Sequence, residues 1–534
     1  MEVVLADSVT SRTHLSFALI ILCFFLWTWK RLRSPIARIQ GPFLTKLSVL
    51  PIVYHDHRST RTQWALDLHQ RYGPVVRLSP KEVSICSSEA IRDVFTGSAK
   101  TGYYAKAPIF NVFQHYGARN AFSSIEANAH SWRRKIVAGN YAQSALIAKE
   151  AKHGHIWKRV GRLIAMIMHE SVRHEDCEGS MLFSIDMFRA CRFYSADCIS
   201  AHLFVDGSHS LILDRPAMRF IEASAEQPNE ITSYFKMEFE TMHLAMRRIG
   251  RLARRAMGRK PILTGRSRMA TASGRKVDAE ANGWYGGTEI RDWGFKQFIK
   301  TRKALEEGKI GTSLEDPVGA RLAANAIAGD GMAKSKPVGD DVGIHSVADT
   351  LYYRNEGCAS ECMDQLLAGI DTTGDTLSYI LHLLSIPSGQ KVQAELRREC
   401  EQLHLPGMIE QPLPWPYNKP LSPETLNKVL SAPYLEAVVK ETLRRFPPST
   451  TALQRIVPPG GRVLEGCYIP GGVIVGASPV CTNNDGKVFD LLRKYDVDEW
   501  RPERWLEADT ETLSQLNHRL WSFGSGGRGC IGKQ

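Results

Sequence analysis

The sequence predicts a mainly α fold with a small β region, and three observations carry that reading. Between about residues 361 and 384, Met363, Leu366, Leu367, Ile370, Leu377, Ile380, Leu381 and Leu384 recur at i, i+3, i+4, i+7 spacing, the period of a long helix that Pro387 stops. From Pro433, a good first-turn residue, Leu435, Val438 and Val439 mark a second helix that ends at Phe446-Pro447-Pro448, with Glu441 and Arg444 on its polar face. Against these stand two short β-rich runs, VVRL at 75–78 and VSIC at 83–86, joined by Ser79-Pro80-Lys81 as a small strand pair.

The 534 residues, 43% of them hydrophobic, are ample for a large buried core. Sixty-eight lysines and arginines face 56 acids, a net charge of +12. An excess of that size suits nucleic acid, an anionic membrane or an acidic protein partner, and charge alone does not choose. The 11 cysteines follow no repeated spacing and are odd in number, which fits reduced thiols facing the cytosol better than a disulfide framework. No Asn-x-Ser/Thr acceptor occurs, in keeping with a body held outside the secretory lumen.

Near the N-terminus, residues 15–29 (LSFALIILCFFLWTW) form a nearly unbroken apolar run, long enough with its flanks for a membrane helix over about residues 14–30. Lys30, Arg31 and Arg33 follow it and no small-residue cleavage site appears, so residues 1–34 read as a retained anchor rather than a cleaved signal. Glu2 and Asp7 ahead and the basic flank behind place the downstream chain on the cytoplasmic side, with Trp27 and Trp29 at the interface. Ser34-Pro35 and Gly41-Pro42 bracket a stiff hinge over 35–42, and the folded domain runs from 43 to 534. Within it, about 258–341 is rich in glycine and basic residues without sustained apolar periodicity, and loops are expected there.

The chemistry concentrates in FGSGGRGCIG, residues 523–532. Gly524, Gly526 and Gly529 spell G-x-G-x-x-G, but only two residues follow Gly532, so no βαβ unit can. A phosphate loop fails as well, because Gln534 stands where Ser or Thr would bind magnesium. A metal thiolate fits better: glycines allow close approach of a flat macrocycle, and Cys530 at a helix start beside Arg528 gains amide and cationic stabilisation of its anionic sulfur.

Phe523-x-x-Gly526-x-Arg528-x-Cys530-x-Gly532 resembles the haem-binding signature of the cytochrome P-450 superfamily. Ala368-Gly369-Ile370-Asp371-Thr372-Thr373 resembles that family's oxygen-groove element, which implies Thr372 beside the bound O2 and Asp371 in proton delivery. On the residues alone the glycine and the Asp-Thr pair predict a kink or groove in the helix, or the cap of a second one. Glu441-Thr442-Leu443-Arg444 is E-x-x-R, by itself an ordinary surface ion pair. With Pro502-Glu503-Arg504-Trp505 downstream, the resemblance implies a buried structural cluster of Glu441, Arg444 and Arg504. It also implies haem-propionate contacts from His130 and Arg134, where His stands in place of the family's Trp and Trp132 is offset by two, and from Arg455 and Arg528.

The elements occur in the family's order along nearly the whole chain, and the wording around them is most similar to fungal microsomal members. The implied fold is the cytochrome P-450 fold, and the implied cofactor is haem b with an axial thiolate. Electrons would come from NADPH through a reductase, with Arg133, Arg134 and Lys135 as candidate docking bases, and O2 and an apolar small molecule would be the substrates. Nucleic acid is not an expected partner. The expected place is a single-pass endoplasmic-reticulum membrane with the body in the cytosol, and the expected role a secondary-metabolite step. A haem-thiolate isomerase or dehydratase is the enzymatic alternative, which the Asp371-Thr372 pair disfavours. In the resembled family a long helix continues past the cysteine loop. The chain as written is therefore expected to bind haem poorly or to be an incomplete, non-catalytic product.

Overall fold

The computed structural model describes residues 21–22, 25–97, 103–170, 172–175, 181–207, 288–334, 355–403, 420–484, 489 and 495–533. Most of the expected anchor lies outside these residues; 25–32 are helical, and no helix among the described residues is long and apolar enough to cross a membrane. The chain divides into two compact units, Met1–Ala107 with Thr451–Thr482 and Pro108–Thr450 with Asn483–Gln534.

The first unit is built on a five-stranded sheet. Its strands are β1 (Val75–Ser79), β2 (Glu82–Ile85), β3 (Ala105–Lys106), β6 (Leu453–Ile456) and β9 (Ile474–Ala477), in the order β1-β2-β9-β6-β3. Only β2 and β9 run parallel, with Val83 opposite Val475. A hairpin of β7 (Arg462–Leu464) and β8 (Cys467–Ile469) belongs to the same unit. Arg77 in β1 is wholly buried and faces the hinge, where its guanidinium donates to the carbonyls of Ala37 at 3.2 Å, Gly41 at 3.2 Å, Pro42 at 3.1 Å and Ile39. Backbone oxygens thus satisfy a cation that would otherwise be costly to bury, and the 35–42 segment is pinned to the sheet by them.

Among the described residues, the second unit is helical apart from a ribbon of β4 (Val172–Glu175) and β5 (Met181–Ser184) and its connecting segments. Its helices include α1 (Ala127–Val137), α2 (His155–Glu170), α3 (Met187–Leu203), α4 (Thr288–Glu306), α5 (Val318–Lys334), α6 (Asn355–Ser385) and α7 (Pro433–Arg445). The core gathers Phe193 and Leu203 of α3, Phe298 of α4, Leu322 and Ala326 of α5, and Met363, Leu366 and Ile370 of α6. The expectation of loops across 258–341 is corrected for two segments, since 288–306 and 318–334 are helices. Their buried faces use Gln297 and Thr301 in α4 and Ala320, Ala323 and Ala326 in α5. Small and polar residues at a helical period carry no strong hydropathy signal, which is why the pattern is faint in the sequence.

Candidate active site

The long helix runs unbroken through Ala368 to Thr373, so no second helix is capped there. The hydroxyls of this stretch turn back on their own helix: Thr372 Oγ1 donates to Ala368 O at 2.7 Å and Thr376 Oγ1 to Thr372 O at 2.8 Å. Gly369 serves packing instead. A Cβ there would lie 2.7 Å from Ile199 Cγ1 of α3, and one at Gly374 would lie 3.2 Å from the Arg192 backbone. The small residues let α3 press against α6, and Arg192 reaches across: its Nη2 sits 2.7 Å from Asp371 Oδ1 and its Nη1 4.0 Å from Asp375 Oδ1. The shorter contact is an ion pair that is not aligned as a hydrogen bond. Burial pushes the Asp375 carboxyl up, Arg192 opposes that shift and Asp371 adds to it.

The cysteine loop folds on itself. Gly524 and Gly526 take positive φ of 65° and 70°, which L side chains rarely adopt, and Cys530 N–H donates to Phe523 O at 2.8 Å to close the turn. Phe523 contributes this carbonyl while its ring stays exposed. Two arginines tie the loop to neighbouring segments: Arg134 Nη1 donates to Gly529 O at 2.6 Å, and Arg528 Nη2 donates to Ile125 O at 3.1 Å. Cys530, Ile531, Lys533, Arg134, Ala138 and Tyr141 line a cleft of about 440 Å³. Thr372 and Asp371 are not among its lining residues.

Ile531 and Gly532, directly after Cys530, lie in a turn. The cations acting on the Cys530 sulfur are Arg134 and Lys533, while Arg528 donates to Ile125 O. The sulfur is open to the cleft but enclosed by protein elsewhere, and burial raises the thiol against the opposing pull of the Gly532 N–H, Arg134 and Lys533. An electron-poor metal would supply the remaining stabilisation of a thiolate, and a thiol beside an arginine is a donor set that fits haem.

Around α1 the other expected contacts take definite places. His130 is buried, and Trp132 is only partly covered. Arg133 is not a surface base, because it is buried with Nη1 donating to Ser124 Oγ at 2.9 Å; of the three bases expected to meet a reductase, Lys135 alone is exposed. Arg455 belongs to the first unit, where its guanidinium stacks 4.8 Å from the Phe95 ring and donates to Gln454 O at 2.9 Å.

Glu441, Arg444 and Arg504 meet in a fully buried cluster. Glu441 accepts from Arg444 Nε at 2.9 Å and Nη2 at 2.8 Å, from Trp505 Nε1 at 2.9 Å and from the Arg501 N–H at 3.0 Å. Arg504 lies 3.5 Å from the same carboxylate and spends its other donors on the carbonyls of Phe489, Tyr495 and Asp496. The exposed ion pair that E-x-x-R spacing alone suggests is therefore not what forms.

The Cytochrome P-450 family model matches residues 348–534, the segment that holds α6, the Glu441 cluster and the cysteine loop. Over nearly its whole length the chain is 27% identical to the cytochrome P-450 monooxygenase gsfF of Penicillium aethiopicum, spanning 97% of this chain and 89% of that protein. It is 23% identical to hepC of Aspergillus oryzae (96% and 86%) and 24% identical to cicH of Emericella nidulans (97% and 88%), both also cytochrome P-450 monooxygenases.

The chain belongs to the cytochrome P-450 superfamily. It is an enzyme of the haem-dependent monooxygenase class, and its mainly helical fold with a small sheet is that of the family. Sequence reasoning missed Arg192, Tyr141, Gln365 and Glu361. The last two carried a signal, since both are polar residues set among the apolar positions Met363, Leu366 and Leu367 of α6.

Proposed function

We propose that this cytochrome P-450 inserts one atom of O2 into an apolar small molecule in a secondary-metabolite pathway, with Cys530 as the sulfur ligand of haem b. The observation that carries the assignment is the closed loop around Cys530, whose sulfur opens on the cleft beside Arg134. Bound there, haem would supply the oxygen activation. Arg134, His130, Arg528 and Arg455 are the residues proposed to meet its carboxylates. Thr372 and Asp371 are proposed to order the proton supply on α6, where the Arg192 ion pair fixes the direction of the Asp371 carboxylate.

The relatives named above are fungal monooxygenases, which supports the pathway reading. An NADPH-dependent reductase as electron donor and an N-terminal membrane anchor with the body in the cytosol complete the proposal. The test is the reduced carbon-monoxide difference spectrum of the full chain and of Cys530→Ser. A thiolate Soret band in the parent that disappears in the variant supports the assignment. A band that survives the substitution refutes Cys530 as the ligand.

A further inference from the structure

The chain entering the cysteine loop is fastened to the end of α7 through a buried amide that the proposed oxygen chemistry does not use. Asn483 opens the returning stretch Asn483–Gln534 of the second unit and is wholly buried. Its Oδ1 accepts the Trp521 N–H at 2.9 Å, and its Nδ2 donates to Ser522 Oγ at 2.9 Å and to Leu443 O of α7 at 3.3 Å. Ser522 Oγ in turn donates to Leu443 O at 2.8 Å, which closes a triangle between the loop and the helix. Arg444 Nη1 donates to the Asn483 carbonyl at 3.3 Å, so the backbone behind the amide is held as well.

The orientation of this amide is fixed by its partners. A backbone N–H only donates and a backbone carbonyl only accepts, so Asn483 must turn its oxygen to Trp521 and its NH2 to Leu443. Trp521 passes the constraint on. Its carbonyl accepts the Gly524 N–H at 3.2 Å, and its Nε1 donates to Ser525 Oγ at 3.0 Å. Residues 521–525 are thereby set on both sides of Phe523, whose carbonyl takes the Cys530 N–H at 2.8 Å. The limb that carries the cysteine has its own clamp, Arg134 Nη1 on Gly529 O at 2.6 Å.

We propose that Asn483 is a positioning residue for the sulfur site: it places Phe523 O where the Cys530 N–H closes the loop, and so fixes the direction in which the sulfur is presented. This rests on Cys530 being the haem ligand. Groups that orient a metal ligand from behind govern its affinity for the metal, and their loss costs about 10–100-fold. Asn483 acts in this way through residues 521–523 rather than by contact with the sulfur.

Asn483→Leu keeps the bulk and removes both roles of the amide. In the full chain loaded with haem, amide hydrogen exchange should speed up across residues 521–530 by about tenfold, the factor that one lost buried hydrogen bond carries, while α4 keeps its parental rate. Haem transfer to excess apomyoglobin should be faster by about tenfold. A smaller share of the ferrous carbon-monoxide complex should show the thiolate Soret band. Phe298→Leu, at a buried position of α4, is the control for lost stability alone and should leave loop exchange and haem transfer as in the parent.

Should Asn483→Leu fail to fold, Ser522→Ala cuts the Ser522 links to Asn483 and Leu443 while leaving the Trp521 bond, and the same changes are expected at smaller size. Parental exchange and haem transfer in folded Asn483→Leu, or in Ser522→Ala where the first variant does not fold, overturn the proposal. An equal change in Phe298→Leu overturns it too. Failure of the underlying ligand assignment is seen separately, as a thiolate band retained in Cys530→Ser.

Discussion

Glu441 Oε1 accepts from Arg444 Nη2 at 2.8 Å, and neither side chain is exposed at all. With Arg504 on the same carboxylate, one buried anion answers two buried cations, and the surplus positive charge is shared among backbone carbonyls. Removing the anion leaves both guanidiniums uncompensated. Glu441→Leu should therefore cost about 3–5 kcal/mol, read as a shift of the denaturation midpoint or as loss of soluble full-length protein. The loss should be insensitive to added salt, because salt screens exposed charges far more than buried ones. Arg444→Lys should also destabilise, since an ammonium cannot make the bidentate contact.

Gly369 invites the opposite test, because replacing a helix-interior glycine with alanine ordinarily gains about 1 kcal/mol. Here the new Cβ would meet Ile199 Cγ1 at 2.7 Å and Ile199 Cβ at 3.0 Å, atoms too near the α3 backbone to move aside easily. Overpacking of this kind costs about 1–3 kcal/mol and should win. Gly369→Ala is expected to melt lower than the parent. Pairing it with Ile199→Ala should recover part of the loss, which a pure propensity effect would not allow.

Arg192 holds two acids one turn apart on α6, Asp371 at 2.7 Å and Asp375 at 4.0 Å. Without it the Asp375 carboxyl, already raised by burial, rises further. Arg192→Met should lower stability near neutral pH by about 1–2 kcal/mol, less than a fully buried pair because the acids keep some water. Asp375→Asn in the same background should restore most of it. The deficit should also shrink in acid, where the carboxyls take up protons and stop repelling one another.

What the sequence disclosed follows from where the information sits. The α6 and α7 helices announce themselves through leucine, isoleucine and valine at helical spacing, and the cysteine loop through glycines that few other residues can replace at φ near 65–70°. Helices α4 and α5 do so only faintly, because alanine, threonine and glutamine share their buried positions with the few large apolar residues Ile290, Phe298 and Leu322. The site was legible as a set of residues but not as a set of directions. The sequence reading sets Arg528 beside Cys530 and Arg134 at a haem carboxylate, yet in the fold Arg134 acts on the sulfur and Arg528 turns to Ile125 O, directions set with Gly529 O by backbone groups that have no sequence signature. Arg133 is hidden for the same reason: its partner Ser124 lies nine residues away on a loop that no periodicity describes.

His115 gives the pH dependence. Its ring is wholly buried, neither ring nitrogen has a hydrogen-bond partner, and burial, followed by the nearby Arg291 charge, pushes its pKa down to about 3 from 6.5. The folded state therefore refuses a proton that the unfolded chain accepts. Stability is complete above about pH 6.5 and falls as pH drops toward 3, by up to about 1.4 kcal/mol per pH unit for this one group. His115→Leu removes both orphaned nitrogens and the titration together. It should raise stability at neutral pH by about 1–2 kcal/mol and flatten the acid limb by one proton. Melting temperature recorded from pH 7 down to pH 4 on parent and variant checks both, and parallel curves would remove His115 as the source of the acid sensitivity.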